Sequence, residues 1–200
     1  MNLLVLGPQG AGKGTQAKRI SEEYGIPHVS TGDMFRGAIA DGTELGKQVE
    51  PLLAQGILVP DELTVAMIRE RLSQPDATDG FVLDGFPRNT VQAEALDEML
   101  GGIGRGLDAI LFFDVPDEVG IERALSRAKL ENRADDTPDV IAKRLETYHR
   151  ETEPIVEHYR ATGKLVPLHA ARIVEEVWRE ISDSLELVVG VGSTEPSRQR

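Results

Sequence analysis

Two hundred residues suffice for one domain with a sizeable core, and an apolar content of 40% is that of an ordinary globular chain, which excludes collagen-like, coiled-coil and membrane classes. A formal net charge of −12 argues against nucleic acid as a bulk partner, so any anion site has to be a local concentration of cations. Cysteine is absent and the four histidines show no ligand spacing, which removes disulfides and thiolate metal sites.

The N-terminus lacks a basic stretch followed by an apolar core, and no apolar run approaches the ~20 residues of a membrane span. A cytoplasmic protein without membrane contact is therefore expected. Five short apolar segments read as buried strands: Asn2 to Leu6, Pro27 to Ser30, Gly80 to Asp84, Leu107 to Val115 and Lys164 to His169. They alternate little and are separated by helical patterns, which predicts a parallel sheet covered on both faces. The expected fold is α/β, a doubly wound five-stranded parallel sheet with ligand at the carboxyl ends of the strands.

The first strand runs into Gly7-Pro8-Gln9-Gly10-Ala11-Gly12-Lys13-Gly14-Thr15. Four glycines permit positive φ angles, which turn successive N–H groups inward to cradle phosphate. A helix starting near Lys13 adds its partial positive end, and the Lys13 ammonium adds a mobile charge. Gly14 stands where the generic phosphate-loop pattern has a hydroxyl residue, and Thr15 comes one place later, so a direct hydroxyl ligand to Mg²⁺ is in doubt. From Thr31 to Pro60, helical pieces punctuated by Gly42, Gly46, Pro51 and Gly56 read as an inserted subdomain.

Asp84, at the end of its strand, is placed to hold the water shell of Mg²⁺. Arg88 and Gln92, four apart on an expected helix, would share one face and join phosphate recognition to base-edge recognition. Arg123 and Arg127 are also four apart, with Arg133 and Arg144 beyond a short flap of about residues 126–132. Either a bound polyanion relieves this crowding, or Glu122, Glu131, Asp135, Asp136 and Glu146 neutralise it as surface pairs. Thr137 and Pro138 read as the N-cap and first residue of the next helix. Residues 190–200, polar and without apolar period, read as a disordered tail after a single domain of 1–189. Phosphoryl transfer needs alignment and cations rather than a nucleophile, and Lys13 with Arg36, Arg88, Arg123, Arg127, Arg133 and Arg144 would supply a cationic enclosure.

The chain resembles the adenylate kinase family over nearly its whole length. The resemblance is carried by GPQGAGKGTQ (Gly7 to Gln16), STGDMFR (Ser30 to Arg36), LVPDELT (Leu58 to Thr64), GFVLDGFPRN (Gly80 to Asn89), RADD (Arg133 to Asp136) and KRLETY (Lys143 to Tyr148). It implies interconversion of ATP plus AMP with two ADP, using Mg²⁺ held by Asp84 through water. It implies ATP on Gly10, Ala11, Gly12, Lys13, Gly14, Thr15, Arg127 and the backbone at Arg172. It implies AMP on Thr31, Arg36, Ile57, Leu58, Val59, Gly85, Phe86, Pro87, Arg88, Gln92, Arg133 and Arg144, within an AMP-binding insert of about residues 30–59. Lys13, Arg88, Arg123, Arg127, Arg133 and Arg144 are then the catalytic cations. Relatives usually carry a glycine-containing turn where this chain has Leu168-His169-Ala170-Ala171-Arg172, so no side-chain role follows for Arg172. The short flap without cysteine implies no structural zinc, and no exposed heptad suggests anything beyond a monomer.

A kinase of UMP or CMP is the nearest alternative, against which stand Thr31, where pyrimidine-preferring relatives tend to have a smaller residue, and Gln92, which suits an adenine edge. A slowly hydrolysing nucleotide switch would lack the matched acceptor site and would carry N-K-x-D, which is missing. A binding scaffold would have no use for Lys13, Asp84 and the arginines together.

Overall fold

The computed structural model describes residues 1–131, 133 and 135–192, with side chains through 188. Each expected strand forms, most of them trimmed at the ends by one or two residues: β1 (Asn2–Leu6), β2 (His28–Ser30), β3 (Phe81–Asp84), β4 (Ala109–Asp114) and β5 (Leu165–His169). They make one parallel sheet in the order β2-β3-β1-β4-β5. Because β1 lies between β3 and β4, the loop leaving it opens into the crevice where the winding direction reverses, the usual ligand position in such sheets.

Successive β1 residues serve opposite layers. Leu4 and Leu6 pack into one apolar cluster with Ile68, Leu72, Phe86, Leu96, Ile155 and Tyr159. Leu3 and Val5 join Ala17, Ile20, Val177, Ile181 and Leu185 on the other face. The first group brings α4 (Asp61–Leu72), α5 (Thr90–Gly101) and α8 (Glu153–Arg160) onto the sheet, and the second brings α1 (Lys13–Tyr24) and α9 (Val174–Gly192). Burial of a strand on both faces needs apolar residues at every position, which is why the alternation of a half-exposed strand is missing from the sequence.

Between β2 and α4 the chain forms α2 (Thr31–Ala40) and α3 (Glu44–Ala54), which share a small core of Phe35, Val49 and Val59. Gly46 and Pro51, read from sequence as breaks, instead lie inside α3. Gly46 is there for contact, since a Cβ on it would stand 2.1 Å from the Ala38 carbonyl oxygen. Helix α6 (Asp117–Leu130) extends a turn beyond the expected end near Ser126, then residues 131–137 lead to α7 (Pro138–Thr147). Thr137 caps α7 through its hydroxyl, with Pro138 in the first turn, as read from the sequence. A π turn, Tyr148–Thr152, joins α7 to α8. Helix α9 continues through Gly192, three residues into the expected tail, and 193–200 lie outside the described residues.

Candidate active site

Gly7, Gly10 and Gly12 all take positive φ, so the chain leaving β1 curls back on itself before α1 begins at Lys13. The Lys13 ammonium donates to the carbonyl oxygens of Gly7 (2.8 Å) and Pro8 (2.7 Å) within that curl. Desolvation lowers its pKa to about 8; Asp84 opposes the shift, and Arg88 and Arg127 add to it.

Asp84 pairs in register with Val5 and with Ser30, at the carboxyl end of three adjacent strands. Burial alone would raise its carboxyl, but a hydrogen bond from His28 at 3.3 Å and the charges of Lys13 and Arg88 outweigh that and hold it below the usual carboxylate range. A Cβ on Gly14 would lie 3.4 Å from Asp84 Oδ2, so the ionised group sits against the first turn of α1. Among the described residues no cluster of three or more His, Cys, Asp or Glu could hold a metal ion. One carboxylate beside a phosphate loop suits hydrated Mg²⁺, which takes few protein ligands and keeps its waters.

Arg88 precedes α5 rather than lying on it, contrary to the sequence reading, because Asn89 is the helix N-cap. Its Nε donates to the Gly85 carbonyl at 2.6 Å, where the Thr31 hydroxyl also donates at 2.8 Å. Gly85 needs its positive φ and bare Cα, since a Cβ would meet Thr31 Oγ1 at 2.7 Å. Gln92 is coupled to Arg88 through its own amide instead of a shared helix face: its Oε1 accepts from the Arg88 N–H at 2.8 Å. Its Nε2 donates to Asp61 at 2.7 Å. One acceptor position and one proton stay available on that amide, enough to pair with a base edge.

The two readings of the arginine cluster divide. Asp136, 3% exposed, accepts from Gln9 at 2.9 Å, from Arg127 at 2.7 Å and from Arg144. Asp135 accepts from Arg144 at 2.8 Å and Glu131 from Arg133 at 2.6 Å. Arg36 pairs with Asp33 at 2.7 Å. Lys13, Arg88 and Arg123 make no ion pair among the described residues, and Arg123 donates instead to the carbonyls of Ala170, Ala171 and Arg172. Arg144 also donates to the Leu53 carbonyl at 3.1 Å, which ties α7 to α3.

Lys13, Asp84, Arg88, Arg123, Arg127, Arg133 and Arg144 line one cavity of about 790 Å³ together with Gly10–Gln16, Ala170, Arg172–Val174, Thr31, Arg36, Ile57–Val59 and Gln92, whereas Asp61 and Asp136 lie outside its lining. Of the expected site residues only Phe86 does not line it; its ring is fully buried in the core under β3. The Arg172 side chain turns to Glu180 and the His169 carbonyl. Sequence reasoning missed Gln16, Asp61 and Thr152, whose hydroxyl donates to the Arg88 carbonyl at 2.7 Å. It also missed Gly120, where a Cβ would stand 2.8 Å from the Gln9 carbonyl. Gln16 and Asp61 carried a signal, since they lie inside the matched segments GPQGAGKGTQ and LVPDELT, whereas Thr152 and Gly120 lie outside every matched segment.

Comparison with known proteins agrees. The family model described as Adenylate kinase matches residues 5–164. An adenylate kinase of Parvibaculum lavamentivorans is 46% identical over 98% of this chain and 96% of its own length. One of Archaeoglobus fulgidus is 43% identical over 94% of this chain and 99% of its own length. One of Stenotrophomonas maltophilia is 47% identical over 88% and 95%. A phosphate loop, an ionised aspartate beside it and converging cations on a five-stranded parallel sheet thus come with close sequence kinship, and the chain belongs to the adenylate kinase family.

Proposed function

We propose that the reversible transfer of a phosphoryl group from ATP to AMP, the reaction of this family, runs here with the two nucleotides at opposite ends of the one cavity. ATP takes the end formed by Gly10 to Thr15, Arg127 and the turn at Arg172. AMP takes the end formed by Thr31, Arg36, Ile57 to Val59, Gly85 to Arg88 and Gln92, with α2 and α3 as its subdomain and Arg133 and Arg144 on its phosphate. The observation that carries this reading is that Lys13, Arg88 and Arg123 face the cavity with no carboxylate partner among the described residues. Phosphates placed between them supply the missing counter-charge.

Lys13 and Arg88 both line the cavity and both lie close enough to Asp84 to stabilise its charge, so two cations converge where the transferred group would pass and compensate the charge spread over its oxygens. Mg²⁺, held by Asp84 through water, would add charge neutralisation at the ATP phosphates. The Arg144 bond to Leu53 and the 4.0 Å approach of Arg36 to Asp135 join α2 and α3 to α7 and Asp135, which supports closure against water as a competing acceptor. No helix among the described residues is long and apolar enough to cross a membrane, and residence in the cytoplasm is the companion reading. Phosphorus NMR of the protein with MgATP and each of AMP, UMP, CMP and GMP tests the acceptor. Rapid ADP formation with AMP alone is expected, and release of inorganic phosphate without an acceptor would overturn it.

The depressed Lys13 pKa gives a second test. Bound phosphates favour the ammonium, so ATP binding draws in a proton where free Lys13 is neutral. Calorimetry in buffers of different ionisation heat should show most of one proton taken up at about pH 8.5 and little below about pH 7, with affinity falling up to about tenfold per unit above pH 8. The folded chain loses this proton near pH 8 and the unfolded chain only near 10.5. The ligand-free protein therefore gains stability from this group as pH rises through that window, the reverse of the trend for ATP. Absence of proton uptake at the higher pH removes Lys13 from the phosphate site.

A further inference from the structure

Gln16 lies one turn into α1 from Lys13, is 2% exposed, and still borders the cavity. Its Nε2 donates to the Val174 carbonyl at 2.9 Å, which fixes the orientation of the amide. Its Oε1 is buried and has no hydrogen-bond partner among the described residues. A buried carbonyl oxygen of this kind requires a donor. The neighbouring acceptors are already engaged: Arg123 bonds the carbonyls of Ala170, Ala171 and Arg172, and the Ile173 carbonyl accepts from the N–H groups of Glu176 and Val177.

We propose that Gln16 is a specificity-determining residue of the phosphoryl-donor site, its Oε1 accepting a proton from the exocyclic amine of adenine. Three kinds of group on MgATP could donate there: the amine, the ribose hydroxyls and metal-bound water. The surroundings select the base. Ala170, Ile173, Val174 and Val177 form an apolar rim on this stretch of the cavity, and Ile173 and Val174 expose 66% and 50% of their surface. Such a rim accepts a flat aromatic ring and offers nothing to a hydroxyl or a hydrated ion. Guanine carries a carbonyl where adenine carries the amine, so two acceptors would face each other and the oxygen of Gln16 would stay unsatisfied.

This inference rests on the placement of ATP proposed above. Its test is a cycle of two deletions, one on the ligand and one on the protein, read as donor KM and kcat at saturating AMP. In the wild type, a purine nucleoside triphosphate lacking the amine should show a KM about tenfold above that of ATP, and inosine triphosphate at least as large a rise. In Gln16→Met, the donor KM values of ATP and the amine-free analogue should converge to within about twofold. An amine preference that survives in Gln16→Met overturns the assignment. So does a variant that loses sensitivity to deoxyribose analogues instead, since the ribose would then be the donor. Should Gln16→Met fail to fold, the Gln16 side-chain amide resonance of the wild type serves. It should shift with ATP and not with the amine-free analogue, and equal shifts overturn the proposal. If Lys13→Gln leaves donor KM and kcat untouched, the placement of ATP itself has failed and takes this inference with it. If Lys13→Gln disables the donor site while the amine preference ignores Gln16, this inference alone is wrong.

Discussion

Replacing Arg88 by alanine is expected to lower turnover of ATP with AMP by about 10³-fold while the thermal midpoint stays level or rises. The two halves of that result have separate causes. Arg88 borders the cavity and makes no ion pair among the described residues, its only side-chain bond being the one to the Gly85 carbonyl. Burial, with Arg144 and Arg36 nearby, already disfavours its charged form. Asp84 offsets this only in part, so truncation removes a costly buried cation rather than breaking an ion pair, and the local fold survives because the contacts from Gln92 and Thr152 go to the Arg88 backbone. Catalysis has no such reserve, since a charge fixed in a water-poor site stabilises transferring oxygens far more than one in water. Arg88→Lys should recover only part of the rate, because a point charge cannot reproduce a planar fork. Arg127→Ala should differ. It strips a partner from fully buried Asp136, so its rate loss comes with a measurable drop in stability. Steady-state kinetics and thermal denaturation of the three variants check the pattern. Near wild-type turnover in folded Arg88→Ala would remove this residue from the transfer path.

The sheet and the phosphate loop were legible because their signals are local. Leu3 to Leu6 is an unbroken apolar run ending at glycine, and Lys13 opens a helix that stops at left-handed Gly25. What escaped depends on contacts between distant segments. Asp136 reads as one more acid in a polar flap, and nothing in RADD says that Gln9, Arg127 and Arg144 will enclose it. The far end of α6 was missed because no glycine or proline stops the helix, and Leu130, 83% exposed, gives no inward-facing apolar mark. Arg88 was set on a helix by spacing alone, although Asn89 was available as a cap one residue later. Gln16 lies in the matched loop segment, but its buried amide shows only once α9 brings the Val174 carbonyl to it, since a glutamine early in a helix is otherwise an ordinary surface residue.

Gly10→Ala should abolish useful ATP turnover and destabilise the protein, through a contact that no local pattern announces. A Cβ on Gly10 would stand 2.0 Å from the Gly120 carbonyl oxygen and 3.0 Å from its Cα, both backbone atoms of α6. In return, a Cβ on Gly120 would stand 2.8 Å from the Gln9 carbonyl oxygen, so loop and helix press together at two bare glycines. Relief requires the two backbones to part by roughly 1 Å, and a shift of that size at a reacting centre costs about 10²-fold in rate. The displaced helix also carries Arg123 and Arg127, so the adenine-side turn and the Asp136 cluster move with it. Gly10 sits at φ +81°, where alanine is strained, and strain plus overlap should cost about 2–4 kcal/mol, or about 5–10 °C in a chain of this size. Two companions separate the terms. Gly12 has φ +89° but open space around its missing Cβ, so Gly12→Ala should show the strain without the clash. Gly120 is helical, so Gly120→Ala should show the clash without the strain and lower kcat/KM at nearly wild-type stability. If Gly10→Ala loses no more stability than Gly12→Ala, and Gly120→Ala turns over normally, then the loop is positioned by something other than its seat on α6.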